Sequence, residues 1–350
     1  MCCVVSASKG IVDMHSGADG GCKIFDTHPE GTPPFVTVCL SVYNFEGTVI
    51  RALRSLIDQT YRNFEIVISD DCSSDRTVDV LVGFLREYEG EVRIRLYRSR
   101  ENGGVVRNRL RGMALGNGEL FVQTDGDDFS MPDRLAKIVA AWDSFAEKPS
   151  ILATNALRWY ESEQRAGDRV IASEAEDYMP PADPVEGRIM NFSAGFVMSR
   201  ELFEAFRDVP VPRGLIADDP VFARRALMLR GIRYCPEPIF YYGTSSSSAS
   251  GANVSGKKWI RDRIRRLGLL ARDIRHRNGT LAEKSRHAII YRIRWMRYND
   301  RLERAPVWRL PLVWAEFLFA CPAVALWEMK IRLKRRAKRL QSALLRRKPK

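Results

Sequence analysis

The sequence predicts an α/β protein: a mostly parallel sheet flanked by helices, followed by a basic helical extension. Four times in the first half of the chain an apolar, β-branched run is followed by an amphipathic segment across a short connection, the pattern of a parallel sheet. Polar and acidic residues gather where those runs end, at Tyr43, at Asp70 and Asp71, and from Asp125 to Asp128. Sheets of this kind bind ligands outside the carboxyl ends of their strands. Charge is divided unevenly as well. Residues 257–350 hold 28 Lys and Arg against 7 Asp and Glu, whereas the first 256 residues hold 28 basic and 36 acidic ones.

Each element follows from a local pattern. Phe35 to Tyr43 is a nine-residue apolar run and predicts a buried parallel strand. Asn44 to Gly47 turns the chain, and Thr48 to Gln59 sets Val49, Leu53, Leu56 and Ile57 on one helical face. Phe64 to Ser69 predicts the second strand, Thr77 to Tyr88 the next helix and Val92 to Tyr97 the third strand. Asn102-Gly-Gly leads into a helix over Val106 to Leu115, and Glu119 to Thr124 is the fourth strand. Pro132 marks the first turn of another helix, with Ser130 in reach as its cap. Further strands are expected over Ile151 to Trp159 and Val170 to Ala172. Asp218 and Asp219 open a helix in which Pro220 suits the first turn and the acids complement the helix dipole.

The flanks have a different character. Residues 1–34 are Gly- and Ser-containing, carry no apolar run of signal-peptide length, and read as a mobile leader to a domain over residues 35–250. The seven cysteines are scattered without a CxxC pair, which argues for a reducing compartment and against a disulfide framework or zinc site. Residues 244–256 read as a Ser-rich linker. Residues 251–350 then form the basic region, with two helices from Lys257 to Arg304 separated at Asn278-Gly279. Residues 306–327 are apolar and carry five aromatic residues, yet Pro311, Glu316 and Pro322 interrupt them. Eleven basic residues follow between Lys330 and Lys350. An aromatic-rich helix beside a polybasic tail predicts an in-plane anchor on an anionic membrane surface. That places the protein in the cytoplasm, peripheral to the inner face of the cell membrane. A nucleic-acid partner is the competing reading of the basic tail; the clustered tryptophans favour lipid.

Asp125, Asp127 and Asp128 crowd into one tight loop at a strand end. Carboxylates so close raise one another's pKa, and a divalent cation relieves that conflict. Hard oxygen ligands suit Mg2+ or Mn2+. No GxxxxGK[ST] occurs, and no GxGxxG follows the first strand, so neither a P-loop nor an ordinary dinucleotide site is expected.

Four motifs in order, Val36 to Asn44, Ile66 to Thr77, Asn102 to Gly112 and Asp125 to Leu135, resemble those of family 2 glycosyltransferases. The resemblance covers roughly residues 35–245 and implies the GT-A fold, a mixed, mostly parallel Rossmann-like sheet, with inverting transfer from a nucleotide-diphosphate sugar and a divalent metal. By the resemblance, Ser41 and Tyr43 contact the nucleoside, Asp71 with Asp70 beside it accepts from the base, and Arg109 lies near the nucleotide. Asp127 holds the metal as second carboxylate of the DxD, with Asp125 as its partner. Asn108 and Leu110 replace the alanine and asparagine that usually flank this arginine. Asp219 takes the place of the general base that deprotonates the acceptor hydroxyl. Asp218, grouped with the nucleotide-sugar-binding residues, replaces the more usual glutamate. A helix N-terminus lowers a carboxylate pKa, so a base there requires burial to compensate.

The expected function is therefore transfer of one sugar, most simply from a UDP-sugar, to a hydroxyl of a glycan or lipid-linked acceptor in cell-surface polysaccharide synthesis. The QxxRW signature of processive synthases is absent. A sugar nucleotidyltransferase is the alternative enzyme, but Asn44 to Gly47 is not the Gly- and Lys-bearing triphosphate loop it would need.

Overall fold

The computed structural model describes residues 22–26, 35–173, 177–182, 184, 192–243 and 256–278, with residues 289, 293 and 296 beyond them. The chain divides into two compact units, residues 1–255 with 265–281, and residues 256–264 with 282–350. The elements belong to the first, except that residues 256–264 of the last helix fall in the second.

Its strands are β1 (Cys22–Asp26), β2 (Val36–Val42), β3 (Phe64–Asp70), β4 (Arg93–Arg98), β5 (Leu120–Asp125), β6 (Phe129–Ser130), β7 (Ile151–Tyr160), β8 (Arg165–Arg169), β9 (Asp177–Met179), β10 (Phe196–Ser199) and β11 (Ile232–Gly243). The helices are α1 (Val49–Ile57), α2 (Thr77–Arg86), α3 (Val105–Leu115), α4 (Arg134–Ser144), α5 (Arg200–Ala205), α6 (Asp219–Leu227) and α7 (Gly256–Asn278). The sheet runs β1-β4-β3-β2-β5-β10-β7-β11-β6, with β8 on β7 and β9 on β11. The β4-β3-β2-β5 centre is parallel, whereas β10 lies antiparallel between β5 and β7.

Alternation along the strands decides which helices cover which face. Val36, Val38, Leu40 and Val42 of β2 enter one core with Leu53 and Leu56 of α1, Leu81 and Leu85 of α2, and Leu135 and Ile138 of α4. Cys39, from the opposite face of the same strand, enters a second core with Val106 and Met113 of α3, Leu202 of α5 and Phe222 of α6. Both faces are thus covered, which is why the central strands read as continuous apolar runs rather than alternating ones. At the amino end of the sheet, buried Glu65 accepts from Thr37 Oγ1 at 2.9 Å and from the Asn117 backbone, and pairs with Arg95 at 2.5 Å. These contacts join β2, β3 and β4 away from the site.

The expected strands and helices of the first half form within a residue or two of their predicted ends. Four details differ. Cys22–Asp26, inside the segment read as a mobile leader, is a strand paired antiparallel with β4 at the sheet edge. Ser130 does not cap a helix: it belongs to β6, and its Oγ accepts from Arg134. The helix begins at Arg134, after Pro132 and with no side-chain cap. Val170 to Ala172 is not a strand; β8 precedes it, because the turn at Glu161 to Gln164 folds Arg165–Arg169 back onto β7. The basic helix expected from Lys257 is described over Gly256–Asn278. Apart from residues 289, 293 and 296, its partner to Arg304 lies outside the described residues, as do the 244–255 linker and the 306–350 segment. Among the described residues no helix is long and apolar enough to cross a membrane.

Candidate functional site

Parallel register brings the strand ends into line. Ser41 of β2 pairs with Asp125 of β5 and with Ser69 of β3, and Val42 pairs with Asp70. Ser41 is buried and its Oγ has no hydrogen-bond partner, while Tyr43, one step beyond the strand, is 43% exposed. Asn44 adopts a left-handed φ of 60°, an option open to Asn because its short side chain bonds locally. Its Oδ1 accepts from the Ser74 backbone at 2.8 Å, and its own N–H donates to Ser73 Oγ at 2.9 Å. The loops after β2 and β3 are thereby stitched into one rim.

Asp70 and Asp71 diverge at that rim. Asp70 is fully buried and turned into its own loop, accepting from the backbone and hydroxyl of Ser73, with Arg98 at 3.6 Å. Burial raises its pKa and the Ser73 bonds oppose the rise. Asp71 accepts from Gly103 N at 2.9 Å and Gly104 N at 2.8 Å, so one oxygen is bound by each amide. Burial raises this carboxyl too, against those two amides.

The DxD loop lies across from this rim. Gly126 N donates to Ser41 O at 3.1 Å, and Thr48 Oγ1 donates to Gly126 O at 2.8 Å. A Cβ at Gly126 would come within 2.5 Å of the Phe45 ring, so only glycine fits the approach. Asp128 is fully buried; Oδ1 accepts from Gly243 N at 2.9 Å and Oδ2 has no hydrogen-bond partner. Its pKa is pushed well up by burial, then by Asp127 and Asp125. Asp125 is raised by burial and by Asp218, with Arg109 opposing. The repulsion expected of three neighbouring carboxylates is therefore present.

Arg109 joins the two halves of the site. Nη2 donates to Asp125 Oδ2 at 2.9 Å, Nη1 to Gln123 Oε1 at 3.3 Å, and Nε lies 2.6 Å from Asp218 Oδ2 as an ion pair off the hydrogen-bond axis. Its side chain is only 2% exposed. Burial works against the guanidinium charge, but Asp125 and Asp218 outweigh it and hold the pKa above its ordinary value. Asp218 is the N-cap residue of α6, with Pro220 in the first turn as expected. Asp218 Oδ1 accepts from Ser193 Oγ at 2.9 Å, and Asp219 Oδ1 accepts from the Ser193 backbone. Burial, then Asp218, pushes Asp219 up to about 6. Burial thus outweighs the lowering expected of a carboxylate at a helix N-terminus.

Two residues of this assembly escape sequence reasoning. Ser193 holds both carboxylates at the start of α6, its hydroxyl donating to Asp218 and its backbone N–H to Asp219. Arg134 is 1% exposed beneath the DxD loop and donates to Thr124 Oγ1, Ser130 Oγ and Gln123 O at 2.9–3.0 Å. Burial lowers its pKa to about 10. Its charge in an otherwise apolar helix face was the available signal.

Among the described residues no three His, Cys, Asp or Glu side chains converge as a metal-binding set. Mg2+ and Mn2+ sites on nucleotides seldom need one: such ions take one or two carboxylates and complete their shell with phosphate and water. Buried Asp127, beside Asp125 and beside Asp128, whose Oδ2 has no hydrogen-bond partner, fits that partial donor set.

Comparison with known proteins agrees with this geometry. The glycosyl transferase family 2 profile matches residues 37–174. EpsH of Bacillus subtilis is 27% identical over 222 residues, covering 61% of this chain and 62% of EpsH. The poly(ribitol-phosphate) beta-glucosyltransferase of Bacillus spizizenii is 27% identical over 216 residues, covering 59% of this chain and 32% of that protein. The matches thus span less than two thirds of either relative. Residues 1–349 of S. aureus TarS, crystallised with UDP-GlcNAc, superpose with a TM-score of 0.58 at 21% identity, covering 83% of this chain and 82% of TarS. The sheet order, the DxD loop at the end of β5 and the profile match agree: over residues 37–174 the chain is similar to glycosyl transferase family 2, and its fold is shared with TarS.

Proposed function

We propose that this protein is an inverting glycosyltransferase that moves one sugar from a nucleotide-diphosphate sugar, most simply a UDP-sugar, to a hydroxyl of a cell-surface glycan or polyol-phosphate polymer. The observation that carries the reading is the meeting of Asp218, at the start of α6, with Asp125 through the shared Arg109. The next residue, Asp219, carries a carboxyl raised to about 6 and accepts from the Ser193 backbone. Support for the donor comes from the UDP-GlcNAc bound to TarS, and for the acceptor from the poly(ribitol-phosphate) substrate in the name of the B. spizizenii relative.

In this mechanism Ser41, Tyr43 and Asp71 receive the nucleoside at the rim. Asp127, with Asp125, would hold a divalent ion, which when bound supplies charge stabilisation to the departing nucleoside diphosphate. Asp219 takes the proton from the acceptor hydroxyl as the oxygen attacks the anomeric carbon. Attack from the face opposite the leaving group inverts the centre. The Ser193 N–H fixes the Asp219 carboxylate, so the base need not search for its orientation.

Asp219→Asn tests the assignment. Transfer should fall by about 10^3-fold or more, because the amide keeps the shape but cannot accept the proton, while UDP affinity stays within about threefold. Turnover within tenfold of wild type would remove Asp219 as the base.

A further inference from the structure

Arg109 is oriented in a way that nucleotide contact does not explain. All three guanidinium nitrogens face protein: Nη1 faces Gln123, Nη2 faces Asp125 and Nε faces Asp218, and the side chain is 2% exposed. A group meant to meet a diphosphate would present its fork to the crevice. This one instead spans two carboxylates from different parts of the fold, one at the end of β5 and one at the cap of α6.

The segment leading to α6 is tied to the donor rim a second time. Gly104 forms a parallel bridge with Leu215, and Gly214 N donates to Gly103 O at 3.0 Å. These are the glycines whose amides hold Asp71. On the other side, Ser193 Oγ fixes Asp218 while the Ser193 backbone fixes Asp219. The base helix is therefore anchored at its cap by Arg109 from the donor side and by Ser193 from the acceptor side.

We infer that Arg109 is a positioning residue, not a nucleotide ligand: by pairing Asp125 with Asp218 it sets the Asp219 carboxylate against the donor loop. The inference rests on the glycosyltransferase reading above, with Asp219 as base. Lys cannot replace Arg here, because one ammonium cannot reach both carboxylates in the fixed geometry of the fork.

The test uses the full chain, with UDP binding by calorimetry and UDP release from UDP-GlcNAc in the presence of Mn2+. Arg109→Lys and Arg109→Gln should lower kcat by about 10- to 100-fold and leave UDP affinity and the KM for UDP-GlcNAc within about threefold. Ser193→Ala, which loosens Asp218 from the other side, keeps the inference testable if an Arg109 variant fails to fold. It should lower kcat with the same indifference to UDP. In the Arg109→Lys background its effect should be less than additive, since both act through one carboxylate. Loss of UDP affinity by tenfold or more in folded Arg109→Lys would overturn the inference and make Arg109 a nucleotide ligand. So would a Ser193→Ala enzyme with unchanged kcat. A wild-type protein that neither binds UDP nor releases it from UDP-GlcNAc would overturn the underlying reading, and the inference with it.

Discussion

At the scale of single residues the site is a contest between burial and compensation. Burial raises the pKa of both Asp125 and Asp128, and neighbouring carboxylates push the same way. Arg109 supplies the opposing charge for Asp125, but Asp219 is left high, at about 6. A base works only when ionised, so turnover should rise with pH through about 6 and level off above it. A kcat–pH profile measured from pH 4.5 to 8 checks this; a limb that stays at the ordinary carboxylate range near 4 would contradict the burial account. For folding the sign is opposite. A carboxyl whose folded pKa is raised favours the protonated fold, so its contribution is fully present below about 3.9 and is lost as pH rises through about 6. Asp219 thus weakens the fold in the pH range where the proposed base would act, a trade expected of a functional group.

At the scale of elements, the chain's legibility followed from how local each cause is. Strands β2, β3 and β5 could be read because a strand covered on both faces is a continuous apolar run, and α6 because Pro220 follows two acids. Asp125 and Asp219 were legible as residue types in motifs. The joint attachment of Asp125 and Asp218 to Arg109 was not, since α3, β5 and α6 meet only in the folded sheet. In sequence, Arg107 and Arg111 flank Arg109 and make it resemble a solvated helix face. Ser193 was invisible for the same reason: a lone serine acquires meaning only from the two carboxylates opposite it. The β1 strand was missed because its pairing is with β4, some seventy residues away, in a segment whose composition reads as a tail. Gly104 shows how tightly the elements are fitted. Its φ is +87° and an added Cβ would lie 3.0 Å from Leu215 O. Gly104→Ala should therefore destabilise the protein by about 1–3 kcal/mol, seen as a lower urea midpoint at unchanged slope; an unchanged midpoint would mean the Gly104–Leu215 bridge is not held in solution.

For the whole molecule, charge asymmetry is the feature that the catalytic domain does not absorb. An acidic-to-neutral body carries a region of 28 basic and 7 acidic residues from Lys257 onward. In α7 this is already visible: Asp262 and Asp273 are buried, Asp273 in a two-point contact with Arg225 of α6 at 2.9–3.0 Å. The proposed consequence is adsorption to an anionic membrane, which would bring the enzyme to a lipid-linked or envelope acceptor. Full-length protein should float with vesicles containing 30% phosphatidylglycerol (roughly the fraction that gives a strongly anionic surface), and be released by about 0.5 M salt, where the Debye length is only a few ångströms. Equal binding to neutral vesicles would contradict an electrostatic attachment.

The central claim is a nucleotide-sugar site built on the DxD loop, and thermal denaturation with UDP reaches it most directly. UDP with Mn2+ should raise the melting temperature, UDP without metal should raise it much less, and Asp127→Ala should abolish the difference. A protein whose melting temperature is unmoved by UDP, GDP, dTDP or CDP, with Mn2+ or without it, would contradict the account.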